Sequence, residues 1–301
     1  MSDIPIIDIH THTFASADRG FAWQRGIAGR TGEPTLNGTI PELTGLMEQL
    51  NIVHVTMLMY TPTRFMYEAR LRGQTLPDDP AEREKIETEV KALMVQRLID
   101  NNEWAIEVCK TDSRFSFMAG LDPVYMTADA MVSELDDKVK RGAKGGKIVL
   151  NALAVEADDP RLWPAYQRLH ELELPIVSQA WRGDFYAQND KIMTQFPQMR
   201  MNIAHLAHGH DDELVRLCQK HENFSADVSS RLHEIDDPEG HLTLESLADL
   251  IRRCGAEHIL FGTNYPLNDP ILYARVMREI PISDREKELV ANGNAKRILK
   301  L

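Results

Sequence analysis

The sequence predicts a single (β/α)8 barrel, and three observations carry that prediction. Eight short apolar runs rich in Val, Ile, Met and Phe recur along the 301 residues. Longer helical patterns separate them, so strand and helix alternate throughout. Several of the runs are nearly continuous in polarity rather than alternating, as expected of parallel strands buried on both faces. The rival architecture, a doubly wound open sheet, expects a Gly-rich phosphate loop after a strand, and no strand candidate is followed by one.

In chain order the strands are expected at 4–13, 54–60, 115–121, 147–150, 175–181, 200–206, 224–228 and 258–262. After the first, Thr39-Ile-Pro-Glu42 reads as a capping box, with Ile40, Leu43, Leu46, Met47 and Leu50 on one helical face. A long polar helical stretch at about 81–110 follows the second strand. The helix at 127–140 stops before Gly142. Asp159-Pro160 opens the next, whose stripe is Leu162, Trp163, Tyr166 and Leu169. Asp211, Thr243 and Ser283 are further N-cap candidates, the last in Ser283-Asp-Arg-Glu286. No linker, internal repeat or biased segment divides the chain, so residues 1–301 are expected to form one domain. Two insertions, 14–38 and 61–80, follow the first and second strands. In a barrel both lie over the C-terminal mouth, where long loops shape a substrate pocket.

Composition excludes other classes. Hydrophobic residues are 43% and charged residues 27%, ordinary values for a globular protein. Lys plus Arg is 34 against 46 for Asp plus Glu, a net charge of −12. A surface this acidic repels phosphate backbones and anionic lipid, so neither nucleic acid nor membrane is an expected partner. No apolar run approaches the ~18 residues of a membrane helix. The opening Met-Ser-Asp-Ile-Pro is not the basic stretch of a secretory signal. Three widely spaced cysteines, Cys109, Cys218 and Cys254, suit a reducing cytoplasm and read as packing residues on helices.

Four segments at strand ends carry the chemistry. In Asp8-Ile9-His10-Thr11-His12, residues two apart on a strand share a face, so His10 and His12 are placed to chelate one divalent metal. In Ala204-His205-Leu-Ala-His208-Gly-His210, His205 ends the sixth strand, where an imidazole can act as acid or base near neutral pH. His208 lies beside the same mouth as a candidate substrate contact, and His210 reads as a solvated loop residue. The others are Val177-Ser-Gln179-Ala-Trp181-Arg182 and Phe261-Gly-Thr-Asn264-Tyr265-Pro266. Arg64 and Arg182, just after strands two and five, are candidates to clamp a substrate carboxylate, with an exposed solubilising role as the even alternative. Trp181 and Tyr265 are candidates for an aromatic wall, and Asp227, near the end of strand seven, for orienting His205 or substrate. Lys147, early in its strand, and His54, at the opposite end of another, read as structural.

Taken in order, these segments resemble the amidohydrolase superfamily. The match is to its amidohydrolase 2 branch, which includes aminocarboxymuconate-semialdehyde decarboxylase-like proteins. The resemblance runs from Ile6-Ile-Asp-Ile-His10-Thr-His12 through Met118-Ala-Gly-Leu-Asp-Pro123, Gly142-Ala-Lys-Gly-Gly-Lys147, Ile203-Ala-His205-Leu and Leu260-Phe-Gly-Thr-Asn-Tyr-Pro266 to Asn292-Gly-Asn-Ala-Lys-Arg297. It implies a distorted (β/α)8 barrel with a mononuclear divalent metal, zinc by expectation, at its mouth. His10 and His12 match the two strand-one ligands, and His205 matches the histidine that acts on substrate or metal-bound water. Gln179 stands where the family usually has a third histidine ligand. Asn264 stands where it usually has an aspartate that binds metal and relays protons.

Those two departures have chemical consequences. An amide offers an oxygen to a cation, but it is neutral and does not accept a proton at neutral pH. Metal-activated water wants such a base, which leaves His205 as the remaining candidate. The expected function is a hydrolase or non-oxidative decarboxylase acting on a small carboxylated or cyclic carbonyl compound, with His205, Asn264 and Gln179 as catalytic groups. One alternative is a metal-independent lyase, isomerase or lactonase using His205 as acid/base; another is a non-catalytic small-molecule-binding barrel. The resemblance also suggests a homo-oligomer.

Overall fold

The computed structural model describes residues 4–27, 32–180, 182–235, 237 and 240–301. Eight parallel strands follow one another in sequence order around the sheet. They are β1 (Ile6–Thr11), β2 (Ile52–Leu58), β3 (Phe115–Gly120), β4 (Gly146–Ile148), β5 (Pro175–Ser178), β6 (Arg200–Ile203), β7 (Phe224–Asp227) and β8 (Ile259–Leu260). All eight expected strands are present, most shorter than expected, because their C-terminal residues peel away to build the mouth. The barrel closes between its last and first strands through Ile9 N–H to Phe261 O (3.1 Å), Asn264 N–H to His10 O (2.8 Å) and His12 N–H to Tyr265 O (2.7 Å).

Register explains how polar groups reach the barrel interior. Lys147 pairs with Val177, and Val177 with Asn202, so these three side chains share one face. Asp227 pairs with Leu260 in the same way. Val177 and Leu260 belong to a small apolar cluster with Ile7, Ile9, Leu58 and Met118, against which Ile298 and Leu299 of the last helix pack. Beyond that apolar layer the interior is polar. The larger core lies between the strands and the outer helices.

The insertions are helical. The first holds α1 (Ala17–Arg25), capped by Ser16, and leads to α2 (Ile40–Leu50). Thr39 makes no side-chain cap there; Glu42 instead accepts the Asn37 and Gly38 N–H groups and the Tyr265 hydroxyl. Thr39 therefore does not form the expected capping box, because the Glu42 carboxylate is drawn to the loop that holds Tyr265. The second insertion holds α3 (Thr63–Arg72) and leads to α4 (Pro80–Thr111). In the helix after β6, His210 occupies the N-cap position without a side-chain cap hydrogen bond, and Asp211 is its first residue rather than its cap. The capping box at Ser283–Glu286 is present, and Thr243 forms another with Ser246. Among the described residues no helix is long and apolar enough to cross a membrane.

Candidate active site

β1 delivers two imidazoles to the mouth. His10 and His12 are both buried, with ring centroids 5.5 Å apart. His10 Nδ1–H donates to Asp227 Oδ2 at 3.0 Å, which leaves its Nε2 lone pair free. His12 Nδ1 lies 3.3 Å from Leu58 O and donates to it, with the same result. Gly262 makes room for this packing: a Cβ there would stand 2.8 Å from the His10 Cβ.

His205 arrives by a different device. After β6 the backbone turns left-handed for four non-glycine residues, His205 to His208, with φ of 62°, 46°, 56° and 44°. L-residues avoid this region, at a cost of roughly 1–2 kcal/mol each, so the surroundings must hold the turn in place. The His205 N–H donates to Asp227 Oδ1 at 3.2 Å. His205 Nδ1–H donates to Ser229 O at 3.0 Å and lies 2.7 Å from Ser229 Oγ, which directs Nε2 away from the network. The His205 ring is 4.9 Å from that of His10.

Asp227 is the hub. Besides His10 and the His205 backbone it accepts from Asn202 Nδ2 at 2.7 Å, Ser229 N–H at 3.1 Å and the Ser229 hydroxyl. Burial alone would raise its pKa, but the His10 imidazole and these donors hold the carboxyl well below its usual range. His10, His205 and Asp227 bring one donor atom each within 4.8 Å of one another. Burial lowers the pKa of His10, His12 and His205, so all three are neutral bases at pH 7. Lys147 is fully buried in the same interior, and desolvation brings its ammonium down to about 8. It is therefore not the plain structural lysine its position early in β4 suggests, since its charge reaches His10, His12 and His205. Below them, Asp8 accepts from Thr263 Oγ1 (2.6 Å), Thr263 N–H (3.1 Å) and His10 N–H (3.0 Å).

The two amides stand at the rim of this centre. Asn264 has φ 60°, a conformation Asn tolerates well, and its Nδ2 donates to Ser230 Oγ at 2.5 Å. Its Oδ1 is buried without a partner. The Gln179 backbone is tied to Ile148 and Asn151, while its side chain faces a cavity of about 510 Å³. His12, Gln179, His205 and Asn264 form the polar part of that cavity's wall. Trp23 and Ile27 from the first insertion, Tyr60 just beyond β2 and Phe65 from the second insertion supply much of the apolar wall. Trp23 also packs on His12, with centroids 5.1 Å apart.

Other sequence candidates lie elsewhere. Arg64 turns to Glu68 at 2.9 Å, and Arg182 is exposed, 4.0 Å from Glu156; neither lines the cavity. Tyr265 is fully buried and bonded to Glu42, so it packs beneath the rim rather than forming a wall. His208 lines a separate depression with Arg231 and His241, its ring 5.2 Å from that of His205. His210 stacks on Phe185. Trp181 falls outside the described residues. Ser229 and Asn202 escape sequence reasoning, because a serine just beyond one apolar strand and an asparagine within another carry no signal of their own. Trp23 was flagged only as part of an insertion, and Tyr60 only as the last residue of an expected strand.

The comparisons with known proteins agree with this architecture. The family model described as amidohydrolase matches residues 7–301, and the chain belongs to that family. No curated protein matches the sequence. Among solved structures, 5-carboxyvanillate decarboxylase from Sphingomonas paucimobilis is similar at 14% identity and a TM-score of 0.68, with 99% of each chain covered. A 2,6-dihydroxybenzoate decarboxylase in complex with 2,6-dihydroxybenzoate is similar at 15% identity and a TM-score of 0.66, again over 99% of each chain. A dihydroxybenzoic acid decarboxylase from Polaromonas sp. JS666, with bound manganese and 2-nitroresorcinol, gives 16% identity and 0.67 over 99% of this chain and 97% of that one.

Proposed function

We propose that this protein is a metal-assisted hydrolase or non-oxidative decarboxylase acting on a small carboxylated or cyclic carbonyl compound in the cavity at the barrel mouth. The observation that carries the reading is the convergence of His12, His205, Gln179 and Asn264 on one cavity wall. Membership of the amidohydrolase family and the decarboxylases among its structural neighbours support it.

The donor set suits a divalent cation in kind. His10 and His12 each keep a free Nε2, and the unpartnered Asn264 Oδ1 is an oxygen donor buried beside them. His10 and His12 would hold the metal, with Gln179 and Asn264 contributing amide oxygens. Zinc suits the imidazoles, and the manganese of the Polaromonas enzyme makes that ion the first alternative. Such an ion supplies Lewis-acid polarisation of a carbonyl or carboxylate. His205 does the proton transfer at Nε2, because its Nδ1 is committed to Ser229. Asp227 and Ser229 position that ring. The Gln179 N–H group orients the substrate's polar end, and the apolar wall excludes water. We place the protein in the cytoplasm, as a homo-oligomer with a small-molecule substrate and neither nucleic acid nor membrane as partner.

The test is a screen of aromatic acids for carbon dioxide release and of cyclic esters for hydrolysis, with His205→Ala beside the parent. Turnover that falls at least a hundredfold in the variant is the expected result. Turnover unchanged by His205→Ala contradicts the assignment.

A further inference from the structure

The four side chains assigned to the ion share one property. His10 and His12 serve as neutral imidazoles, and Gln179 and Asn264 are amides, so the set brings no negative charge. None of the described residues lining the cavity carries a formal charge either. Two carboxylates lie behind the wall, and both are committed to the protein. Asp227 Oδ2 accepts from His10 Nδ1 and Asn202 Nδ2, and its Oδ1 accepts from the His205 and Ser229 N–H groups. Asp8 accepts from Thr263 and from the His10 N–H. The buried Lys147 ammonium shares that interior and opposes their field.

Neutral donors leave a divalent ion with its full charge, whereas affinity for such ions rises with the number of anionic ligands. Asn264 is where the missing charge would stand. Its Oδ1 is buried without a partner, while its Nδ2 is tied to Ser230 Oγ at 2.5 Å. A substrate carboxylate meets the converse problem, because buried charge needs a partner. Arg64 and Arg182 are directed at Glu68 and Glu156 and do not line the cavity, so no described side chain there offers a cation. The net charge of −12 further disfavours an anion that enters alone. Each partner therefore lacks what the other brings. The cavity of about 510 Å³ also presents Trp23, Tyr60 and Phe65 as aromatic surface for a ring.

We infer that the neutral donor set makes ion and substrate binding cooperative: the protein holds a divalent ion and an aryl carboxylate together more tightly than it holds either alone. This rests on the proposed ion site at the mouth, and it chooses the carboxylated class over the neutral cyclic carbonyl class.

Benzoate and benzamide, alike in ring and different in charge, are the probes. The manganese affinity of the full-length protein is measured by competition with a coloured chelator, alone and with each probe in millimolar excess. Calorimetry measures benzoate binding with and without manganese. The expected result is that benzoate tightens manganese about tenfold or more, that manganese tightens benzoate by the same factor, and that benzamide does neither. Benzoate that complexes free manganese in solution opposes this shift, so tightening reports on the protein. Asn264→Asp, with a negative charge of its own, should keep the ion and lose most of the benzoate effect. Manganese affinity unchanged by benzoate overturns the inference, as do an equal effect of benzamide and an undiminished effect in Asn264→Asp. Manganese bound without any benzoate effect leaves the ion site standing and refutes only the coupling. No manganese bound under any of these conditions refutes both.

Discussion

Nδ1 of His10 lies 3.0 Å from Oδ2 of Asp227, a contact between β1 and β7 spanning 217 positions of sequence. It fixes the tautomer of a candidate ligand and anchors the carboxylate that also receives the His205 backbone. Asp227→Asn should therefore destabilise the protein by about 3–5 kcal/mol in urea unfolding, because buried donors lose their acceptor. The folded pKa of Asp227 lies below its ordinary value of 3.8. Its contribution is thus fully present above that value and lost as pH falls through the folded one. The gap between parent and variant should be constant from pH 5 to 8 and narrow only in acid. A gap that closes near neutrality would contradict this.

Lys147 runs the other way. Its folded pKa of about 8 lies below the ordinary 10.5, so between those values the unfolded chain binds more protons and stability rises with pH. Below pH 8 the buried ammonium is a standing cost. Lys147→Met is expected to be more stable than the parent at pH 7 by about 1–3 kcal/mol, and to lose the rise between pH 8 and 10.5. Thermal melts across that range decide it; a less stable variant at pH 7 would show that the ammonium is held by favourable contacts.

Gly262 is a steric requirement of the centre. An added methyl meets the His10 Cβ at 2.8 Å and the Asp227 Cβ at 3.5 Å. Gly262→Ala should cost about 1–3 kcal/mol through overpacking and displace His10. Loss of metal affinity together with that stability change is the expected pattern; unaltered stability would mean that the strand yields freely.

Asn264 is where the centre lacks negative charge. Asn264→Asp adds an anionic ligand at the orphaned Oδ1 position and should tighten manganese binding about tenfold or more. Competition with a coloured chelator measures this directly. Weaker binding in the variant would place the metal away from Asn264.

The eight strands were legible because each is an apolar run between helical patterns, and their order follows from alternation alone. His10, His12 and His205 were legible because an imidazole at a strand end has few structural reasons to be there. The wall of the cavity was less so. Trp23 reaches it through a helical insertion whose placement depends on packing and Tyr60 from just beyond β2, and Ser229 acquires its role only through the fold that brings the segment after β7 within reach of His10 and His205. Arg64 and Tyr265 were drawn to Glu68 and Glu42, partners that periodicity does not reveal. The left-handed turn at His205–His208 carries no glycine before Gly209, so nothing local announced it.

The measurement closest to the central claim is elemental analysis of protein purified without chelator or affinity metal, alongside His10→Ala and His12→Ala. The account predicts about one divalent ion per chain in the parent and a large loss in both variants. A parent that holds no metal even after incubation with excess zinc or manganese would contradict it.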